Sequence, residues 1–318
     1  MNLHTPLAPH FRFWHPPVGY SVVTGADAHE CILPTIPLPI LNSKATDADP
    51  SADMIGSGLY DYLRQFPDCS YNTEYAALLR DVWPHYLADL AAMIIMLDHK
   101  EIDAPYLRRK ISGLRILLLL NADNPGLLQQ LGMACYDLAL NYVELSHCRS
   151  HLTRAIGYFT EADRLLSNDT TNLNYMAQID YLLGDYPQAI KRWQLLSTLI
   201  HDETTKLSLV ARIEAIQGVE SLDHPLVVDL ESIGEAMQLL ASDEPALARA
   251  ILETLEQQQI VPTEFPNPEF YSLLGISRER SGDRCLAQDA FVRALELDPT
   301  HQPALDGINR YHLQGEQC

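Results

Sequence analysis

The chain has 318 residues, of which 47% are apolar, and it carries a formal net charge of −20. This apolar content is enough for a sizeable buried core, which argues against disorder of the whole chain. The negative charge repels phosphate backbones and anionic lipid headgroups, so we expect no nucleic-acid partner and no membrane partner.

Signals for export or membrane insertion are lacking in the sequence. No apolar run approaches the roughly 20 residues that span a bilayer. Residues 1–17 do not combine a basic start with an apolar stretch, so we expect no secretion signal. The six cysteines include no CxxC pair, and we expect them to be free thiols. We therefore expect a soluble, cytoplasmic protein.

The first 57 residues differ in composition from the rest of the chain. Residues 1–50 hold 8 of the 20 prolines, a density that prevents helices and favours extended backbone. We predict an irregular arm that lies against the helical body, with a short hairpin pairing residues 20–24 with residues 30–33. Residues 42–57 are small and polar, which predicts a mobile loop or linker.

Residues 58–122 have the apolar spacing of helices. We predict a short helix at residues 58–65 and a long one that starts near Thr73 and carries apolar residues at three-and-four spacing. Pro84 falls inside the long helix and should kink or split it. A further helix starts at Asp103. We expect these divergent helices to pack on the remaining chain.

Helical segments from residue 123 onward recur with a fixed period. Ala155 and Phe159 correspond to Ala189 and Trp193, and both pairs are 34 residues apart. A period of this length is typical of arrays of helical hairpins. Other elements follow from turn and cap signals: a helix extended from Pro125 through Leu145, a turn at residues 184–186, buried positions at Leu207 and Val210, a helix from Pro225 to Leu240, a helix at residues 244–258 capped by Asp243, and a loop at residues 260–266.

The most regular unit is residues 268–301. Asn267-Pro268 is a helix start, and a break at Ser281-Gly282-Asp283 separates two helices. The first helix carries Tyr271, Leu274 and Gly275, and the second carries Ala287, Phe291 and Ala294.

This unit resembles the tetratricopeptide repeat (TPR), whose 34-residue pattern has an aromatic residue, Leu-Gly, a turn, then Ala, Phe, Ala and Pro. Arg278 departs from the pattern, because an aromatic residue is usual there. The resemblance covers about residues 125–313, the last of which form a capping helix. It implies an all-α fold, a TPR-like helical-hairpin solenoid with an irregular Pro-rich N-terminal arm, in which residues 123–318 form the repeats.

The resemblance also implies a binding groove, because the first helix of each TPR pair lines a concave surface. Amides and tyrosines at such positions suit recognition of an extended peptide. The resemblance therefore implies a non-enzymatic adaptor or scaffold that binds a peptide or protein partner. The inward-facing positions are Gln129, Met133, Tyr136, Asn174, Gln178, Tyr181, Ser208 and Arg212, together with Glu269, Ser272, Ile276 and Glu279.

Charge gives one indication about the partner. From residue 201 onward there are 21 acidic and 8 basic side chains, which indicates either a solvated acidic coat or a basic partner. Lysines that would clamp the carboxylate of a chaperone tail are absent from the groove positions. Self-association of incompletely capped repeats into a homo-oligomer is a further interpretation.

An enzyme or cofactor binder is the alternative hypothesis. The sequence has no glycine-rich phosphate loop, no GxSxG and no HExxH, so we predict no catalytic residue and no cofactor. His147 and His151 are four residues apart and form a candidate metal pair. Histidines and a cysteine of the arm leave open a metal- or haem-dependent enzyme: His4, His10, His15, His29 and Cys31.

One basic cluster stands out in the sequence. Arg108, Arg109 and Lys110 are consecutive, and Arg115 follows. The cluster could grip a phosphate or an acidic peptide. An exposed helix face that pairs with the chain's many carboxylates is the favoured interpretation.

Overall fold

The computed structural model describes residues 10–24, 29–44, 49–97, 103–218 and 224–314. The chain divides into two compact units. The first comprises Met1–Ala134 and Glu161–Ser167, and the second comprises Cys135–Thr160 and Asn168–Cys318. Within the described ranges, no helix is both long and apolar enough to cross a membrane.

Helices form most of the first unit. Helix α1 is N-capped by Ser51, whose hydroxyl accepts from the Met54 backbone N–H at 3.3 Å. Because this cap starts the helix at Ala52, the prediction of a linker through residue 57 is wrong. Pro84 splits the predicted long helix in two, as expected. The helices are α1 (Ala52–Gln65), α2 (Asn72–Val82), α3 (Pro84–Leu97) and α4 (Ala104–Leu120).

The arm contains two small antiparallel sheets. Strand β1 pairs with β4, with Phe11 opposite Leu41, and β2 pairs with β3, with Ser21 opposite Ile32. The predicted hairpin is therefore confirmed. The strands are β1 (Phe11–Trp14), β2 (Ser21–Thr24), β3 (His29–Ile32) and β4 (Leu38–Leu41), and a 3-10 turn follows at Asn42–Lys44.

The described part of the arm packs on helices of its own unit. Leu38 and Ile40 of β4 have no exposed surface, and the Tyr75 hydroxyl of α2 donates to the Pro37 carbonyl oxygen. Gly58 of α1 faces the β4 backbone so closely that a Cβ atom would collide with it. The expectation that the arm lies against the helical body is confirmed.

The second unit is built from consecutive helices. Helices α5 and α6 contribute residues to both units, and a 3-10 helix, Tyr142–His147, lies between them. The α-helices from α5 onward are α5 (Pro125–Ala139), α6 (Cys148–Leu165), α7 (Thr170–Leu183), α8 (Tyr186–Leu199), α9 (Glu203–Gly218), α10 (Leu226–Ala241), α11 (Pro245–Gln258), α12 (Ile260–Glu264), α13 (Pro268–Arg280), α14 (Arg284–Leu297) and α15 (Gln302–Gln314).

Two of its helical hairpins use the same Gly-Asp turn. Gly184 and Gly282 both have φ of 87°, a left-handed conformation that glycine adopts without steric cost. The following aspartates cap the second helix of each pair: Asp185 accepts from the Gln188 N–H and Asp283 from the Leu286 N–H, both at 3.3 Å. Both turns predicted from the sequence are confirmed.

The C-terminal hairpin closes around the Phe291 ring. A Cβ atom on either Gly275 or Gly307 would lie 2.7 Å from this ring, so both glycines allow close helix packing. Phe291 is fully buried, together with Ala287 and Ala294. The small and large residues of the repeat pattern thus occupy the contact between helices, and the predicted terminal helix is confirmed as α15.

Three sequence predictions in the second unit are wrong. Helix α5 ends at Ala139 instead of Leu145, because the Asn141 side chain accepts from the Val143 N–H and starts the 3-10 helix. Asp243 does not cap α11; it has φ of 61° and the cap position is Glu244. The predicted loop after α11 contains the short helix α12, which follows α11 through a left-handed residue.

Helix α9 departs from the repeat as well. Leu207 and Val210, predicted to be buried, are 70% and 42% exposed. Helix α9 packs mainly on α8, and among the described residues it has no following helix that completes a hairpin. The apolar side chains on its other faces consequently remain on the surface, and only Ile213 of this helix is buried.

The cysteines do not all match the expectation of free thiols. Cys31, Cys69, Cys135 and Cys148 are free. Cys285 is disulfide-bonded, so the prediction is wrong for this residue.

Candidate functional site

A cavity of about 360 Å³ lies within the second unit. Six of the eight predicted groove residues line it: Tyr136, Asn174, Gln178, Tyr181, Ser208 and Arg212. The other lining residues are Leu140, Leu182, Trp193, Thr205, Leu209, Leu226, Glu264 and Phe265.

Helical spacing brings these side chains together. On α7, Asn174, Gln178 and Tyr181 follow one another at intervals of four and three residues, so they share one helix face. On α9, Ser208 and Arg212 are one turn apart and share a face in the same way. The cavity therefore has two walls of polar residues, one from each helix.

One part of the cavity is lined by neutral polar groups. The Tyr136 hydroxyl donates to Gln178 Oε1 at 2.8 Å, and the Tyr136 ring meets the Tyr175 ring edge-on at 5.2 Å between centroids. Burial raises the pKa of Tyr136, so its hydroxyl keeps its proton at neutral pH. Within the described part of the chain Asn174 makes no side-chain hydrogen bond. Its amide is therefore available to a ligand, as is the NH₂ group of Gln178.

A second part of the cavity combines an ion pair with aromatic rings. Arg212 Nη2 lies 3.0 Å from Glu264 Oε2. The guanidinium carbon is 4.5 Å from the centroid of the Tyr181 ring and 5.7 Å from that of Trp193, which are cation–π distances. Burial, followed by the negative charge of Glu264, raises the pKa of Tyr181. These contacts fix Arg212 as part of the cavity wall.

The residue before Tyr181 forms a buried ion pair. Asp180 Oδ2 lies 2.7 Å from Arg192 Nη1 of α8, and the Asp180 side chain is 7% exposed. Burial raises the pKa of Asp180 to about 6, although the positive charge of Arg192 acts in the opposite direction. The pair links the two helices of the α7–α8 hairpin.

The remaining predicted groove residues do not line this cavity. Gln129 and Met133 belong to the first unit. On α13, Ser272 is 1% exposed and Ile276 packs against the Phe291 cluster. Arg310 of α15 pairs with Glu279. Because α15 packs on α13, the predicted groove positions of this last repeat are contacted by the capping helix.

Several lining residues carry no sequence signal for a site. Glu264 and Phe265 come from the end of α12, a segment that we expected to be a loop, and Leu226 starts α10. Trp193 was identified only as a core residue of the repeat. Their positions relative to Arg212 depend on how α9, α10 and α12 pack, which the repeat pattern does not specify.

The candidate metal residues have other partners. His151 Nε2 lies 3.3 Å from Glu144 Oε2, and Ser146 Oγ lies 2.9 Å from His147 Nδ1. Burial lowers the pKa of His151 and raises that of the Cys148 thiol to about 12. Across the described ranges, no group of three His, Cys, Asp or Glu side chains has a metal-binding arrangement. His4 lies outside those ranges.

These observations define the second unit as an all-α array of TPR-like helical hairpins that encloses a mixed polar and aromatic cavity. No family model matches the sequence, and no curated protein sequence matches it. The fold is similar to solved structures of TPR proteins and of MamA. The MamA structure has 14% identity and a TM-score of 0.31, over 67% of this chain and 93% of that chain.

Two further structures show comparable similarity. The TPR domain of P58(IPK) has 12% identity and a TM-score of 0.32, over 84% of this chain and 76% of that chain. A TPR protein from Parabacteroides merdae ATCC 43184 has 13% identity and a TM-score of 0.27, over 81% of this chain and 91% of that chain. We therefore infer the function from the chain's own side chains.

Proposed function

We propose that the cavity of the second unit binds an extended segment of a protein partner, and that the chain is a non-enzymatic adaptor or scaffold. The observation that carries this proposal is the convergence of six predicted groove residues on one cavity of about 360 Å³. A volume of this size holds a few side chains of a bound segment, not a whole domain.

The amide groups provide the backbone recognition. Asn174 and Gln178 each offer a donor and an acceptor, which match the N–H and C=O groups of an extended peptide. They stand one helical turn apart, about 5.4 Å, which is close to the spacing of alternate residues in an extended chain. The amides therefore bind a peptide backbone largely independently of its sequence.

The rings provide the side-chain recognition. Tyr181 and Trp193 form an aromatic wall, and Phe265, Leu226 and Leu209 add apolar surface. An apolar or aromatic side chain of the partner fits this wall, because burial of its surface there drives association. Arg212 and Glu264 neutralise each other within the cavity, so the anchoring side chain itself is uncharged. The acidic excess after residue 201 favours basic residues on either side of that anchor.

Selection from a library of random linear peptides tests the proposal. Peptides are selected on the full chain, and the affinity of synthetic copies is measured by calorimetry for the wild type and for Gln178→Ala and Asn174→Ala. We expect each substitution to weaken binding by about tenfold, because one recognised amide is lost. Selected peptides should contain an aromatic or large aliphatic anchor.

Matched controls separate the cavity from the rest of the surface. Gln194→Ala on α8 and Asn309→Ala on α15 remove exposed amides that do not line the cavity, and we expect unchanged affinity. Equal affinity of the selected peptides for the Asn174→Ala/Gln178→Ala double variant would contradict the proposal. Light scattering against concentration tests the separate prediction of a homo-oligomer.

A further inference from the structure

We propose that the first unit contains a binding site for a phosphate monoester group, separate from the peptide cavity. A second cavity, of about 300 Å³, lies between helices α1 and α4. It is lined by Asp61, Arg64, Gln65, Arg108, Arg109 and Ser112, all of which belong to the first unit. The proposal does not depend on the function proposed for the second unit.

The fold divides the basic cluster that the sequence contains. Arg108 and Arg109 line the cavity, whereas Arg115 forms an ion pair with Asp68 and Lys110 is only 9% exposed. Packing of α1 against α4 then adds Arg64, which is distant in sequence. The result is three guanidinium groups around one cavity, an arrangement that the sequence alone did not predict.

Charge at this cavity opposes the charge of the chain. The described residues that line it include one acid, Asp61, whose carboxylate is 3.9 Å from Arg64 Nη1. Three cations and one anion leave a local charge of about +2 in a chain whose net charge is −20. Clustering of like charges is unfavourable by itself, and a bound anion relieves it.

The side chains match the chemistry of a phosphate. A guanidinium group presents a planar fork of donors that fits two phosphate oxygens, and its charge does not depend on pH in the physiological range. The Ser112 hydroxyl and the Gln65 amide add neutral donors at the same cavity. The local charge of about +2 favours a dianionic phosphate monoester over a carboxylate, which carries a single charge.

Aromatic rings hold two of the three guanidinium groups. Arg64 lies 5.2 Å from the centroid of the Tyr60 ring, and Arg109 lies 5.7 Å from that of Tyr106. These contacts restrict the long side chains before a ligand arrives, which lowers the entropy lost on binding. The phosphate group can come from a phosphoserine in a partner segment or from a small phosphorylated molecule, because the lining recognises only the shared group.

Calorimetric titration of the full chain tests the site and separates the two sources. The probes are inorganic phosphate, phenyl phosphate, and a pentapeptide with a central phosphoserine beside its unphosphorylated counterpart. We expect binding of at least one phosphate probe, weakened by added NaCl, and weakened about tenfold or more in Arg108→Gln/Arg109→Gln. Both side chains are exposed, so this variant should keep the helicity of the wild type by circular dichroism.

Arg80→Gln is the matched control, because Arg80 is a 55% exposed arginine of the same unit that does not line the cavity. We expect it to leave affinity unchanged. Tighter binding of the phosphopeptide than of phenyl phosphate assigns the site to a partner segment, and the reverse assigns it to a small molecule. The proposal is overturned if no phosphate probe binds, or if the double variant binds as tightly as the wild type or the Arg80→Gln control.

Discussion

Arg278 of α13 and Glu256 of α11 form a largely buried ion pair, with 2.6 Å between Nη2 and Oε2. Arg278 also donates from Nε to Glu253 Oε1 at 3.0 Å, and Arg293 Nη1 lies 2.7 Å from Glu256 Oε1. The arginine stands where the TPR pattern usually has an aromatic residue. A charged network therefore replaces ring packing between neighbouring repeats.

Replacing this arginine should be strongly destabilising. Arg278→Met leaves two carboxylates without their main partner, and we expect a loss of about 2–4 kcal/mol in the free energy of unfolding. Arg293→Met removes a 52% exposed partner of the same Glu256 carboxylate and should cost less than about 1 kcal/mol. Urea denaturation of both variants gives the comparison, and similar losses would show that the network contributes little.

Two helical glycines should respond to alanine in opposite directions. In Gly275→Ala the new methyl group meets the Phe291 ring at 2.7 Å, and Gly307 confines the opposite side of that ring. We expect a loss of about 1–3 kcal/mol from overpacking. Gly157 of α6 has no atom within 4 Å of a Cβ position, so Gly157→Ala should stabilise by up to about 1 kcal/mol. Thermal unfolding measures both, and a stable Gly275→Ala variant would contradict the close crossing.

Capping predicts a second contrast, between two aspartates that precede helices. Asp185 accepts the Gln188 N–H, and Asp185→Ala should cost about 1 kcal/mol. Asp243 has φ of 61°, so Asp243→Gly should be neutral or stabilising by up to about 1 kcal/mol. Chemical denaturation of the two variants decides between these expectations. A marked loss of stability in Asp243→Gly would restore the capping role that the sequence predicted.

The buried Asp180 predicts a pH dependence of stability. Its pKa is about 6 in the folded chain against 3.8 for the model group, so between these values the folded state holds a proton that the unfolded state lacks. Stability from this residue therefore rises as pH falls through 6, and it is lost as pH increases. Lowering the pH from about 7.5 to about 5 should favour wild type over Asp180→Asn by about 1 kcal/mol more.

Asp180→Asn cannot take up the proton, so it isolates this residue from other titrating carboxylates. Thermal unfolding of the two proteins across the pH range gives the difference, and NMR titration of the Asp180 carboxyl carbon measures the pKa directly. A difference in stability that stays constant with pH would contradict the raised pKa.

The repeat pattern allowed prediction of the parts of the fold that local chemistry controls. Gly184-Asp185 and Gly282-Asp283 were predicted as turns because glycine and aspartate have distinct roles in chain reversal and capping. Ala189 and Phe291 were predicted as buried because a hairpin needs small and large residues at its crossing. These features repeat every 34 residues and depend on few distant contacts.

Departures from the pattern were not predictable in the same way. Leu207 of α9 has the expected offset but is exposed, because burial requires a partner helix that the spacing does not guarantee. Arg278 becomes buried only because carboxylates of α11 lie beside it. For the candidate site, six lining residues followed from helix faces, whereas Glu264 and Phe265 depended on the placement of α12.

By itself the sequence determined the helical hairpins, their turns and the polar face of α7, because backbone conformation and helix periodicity depend on residues close together in the chain. Only the tertiary structure decided which side chains enclose the two cavities. Arg212 meets Glu264, and Arg64 joins Arg108, across many intervening residues. Contacts of this kind arise from helix packing, for which residue spacing along one helix carries no information.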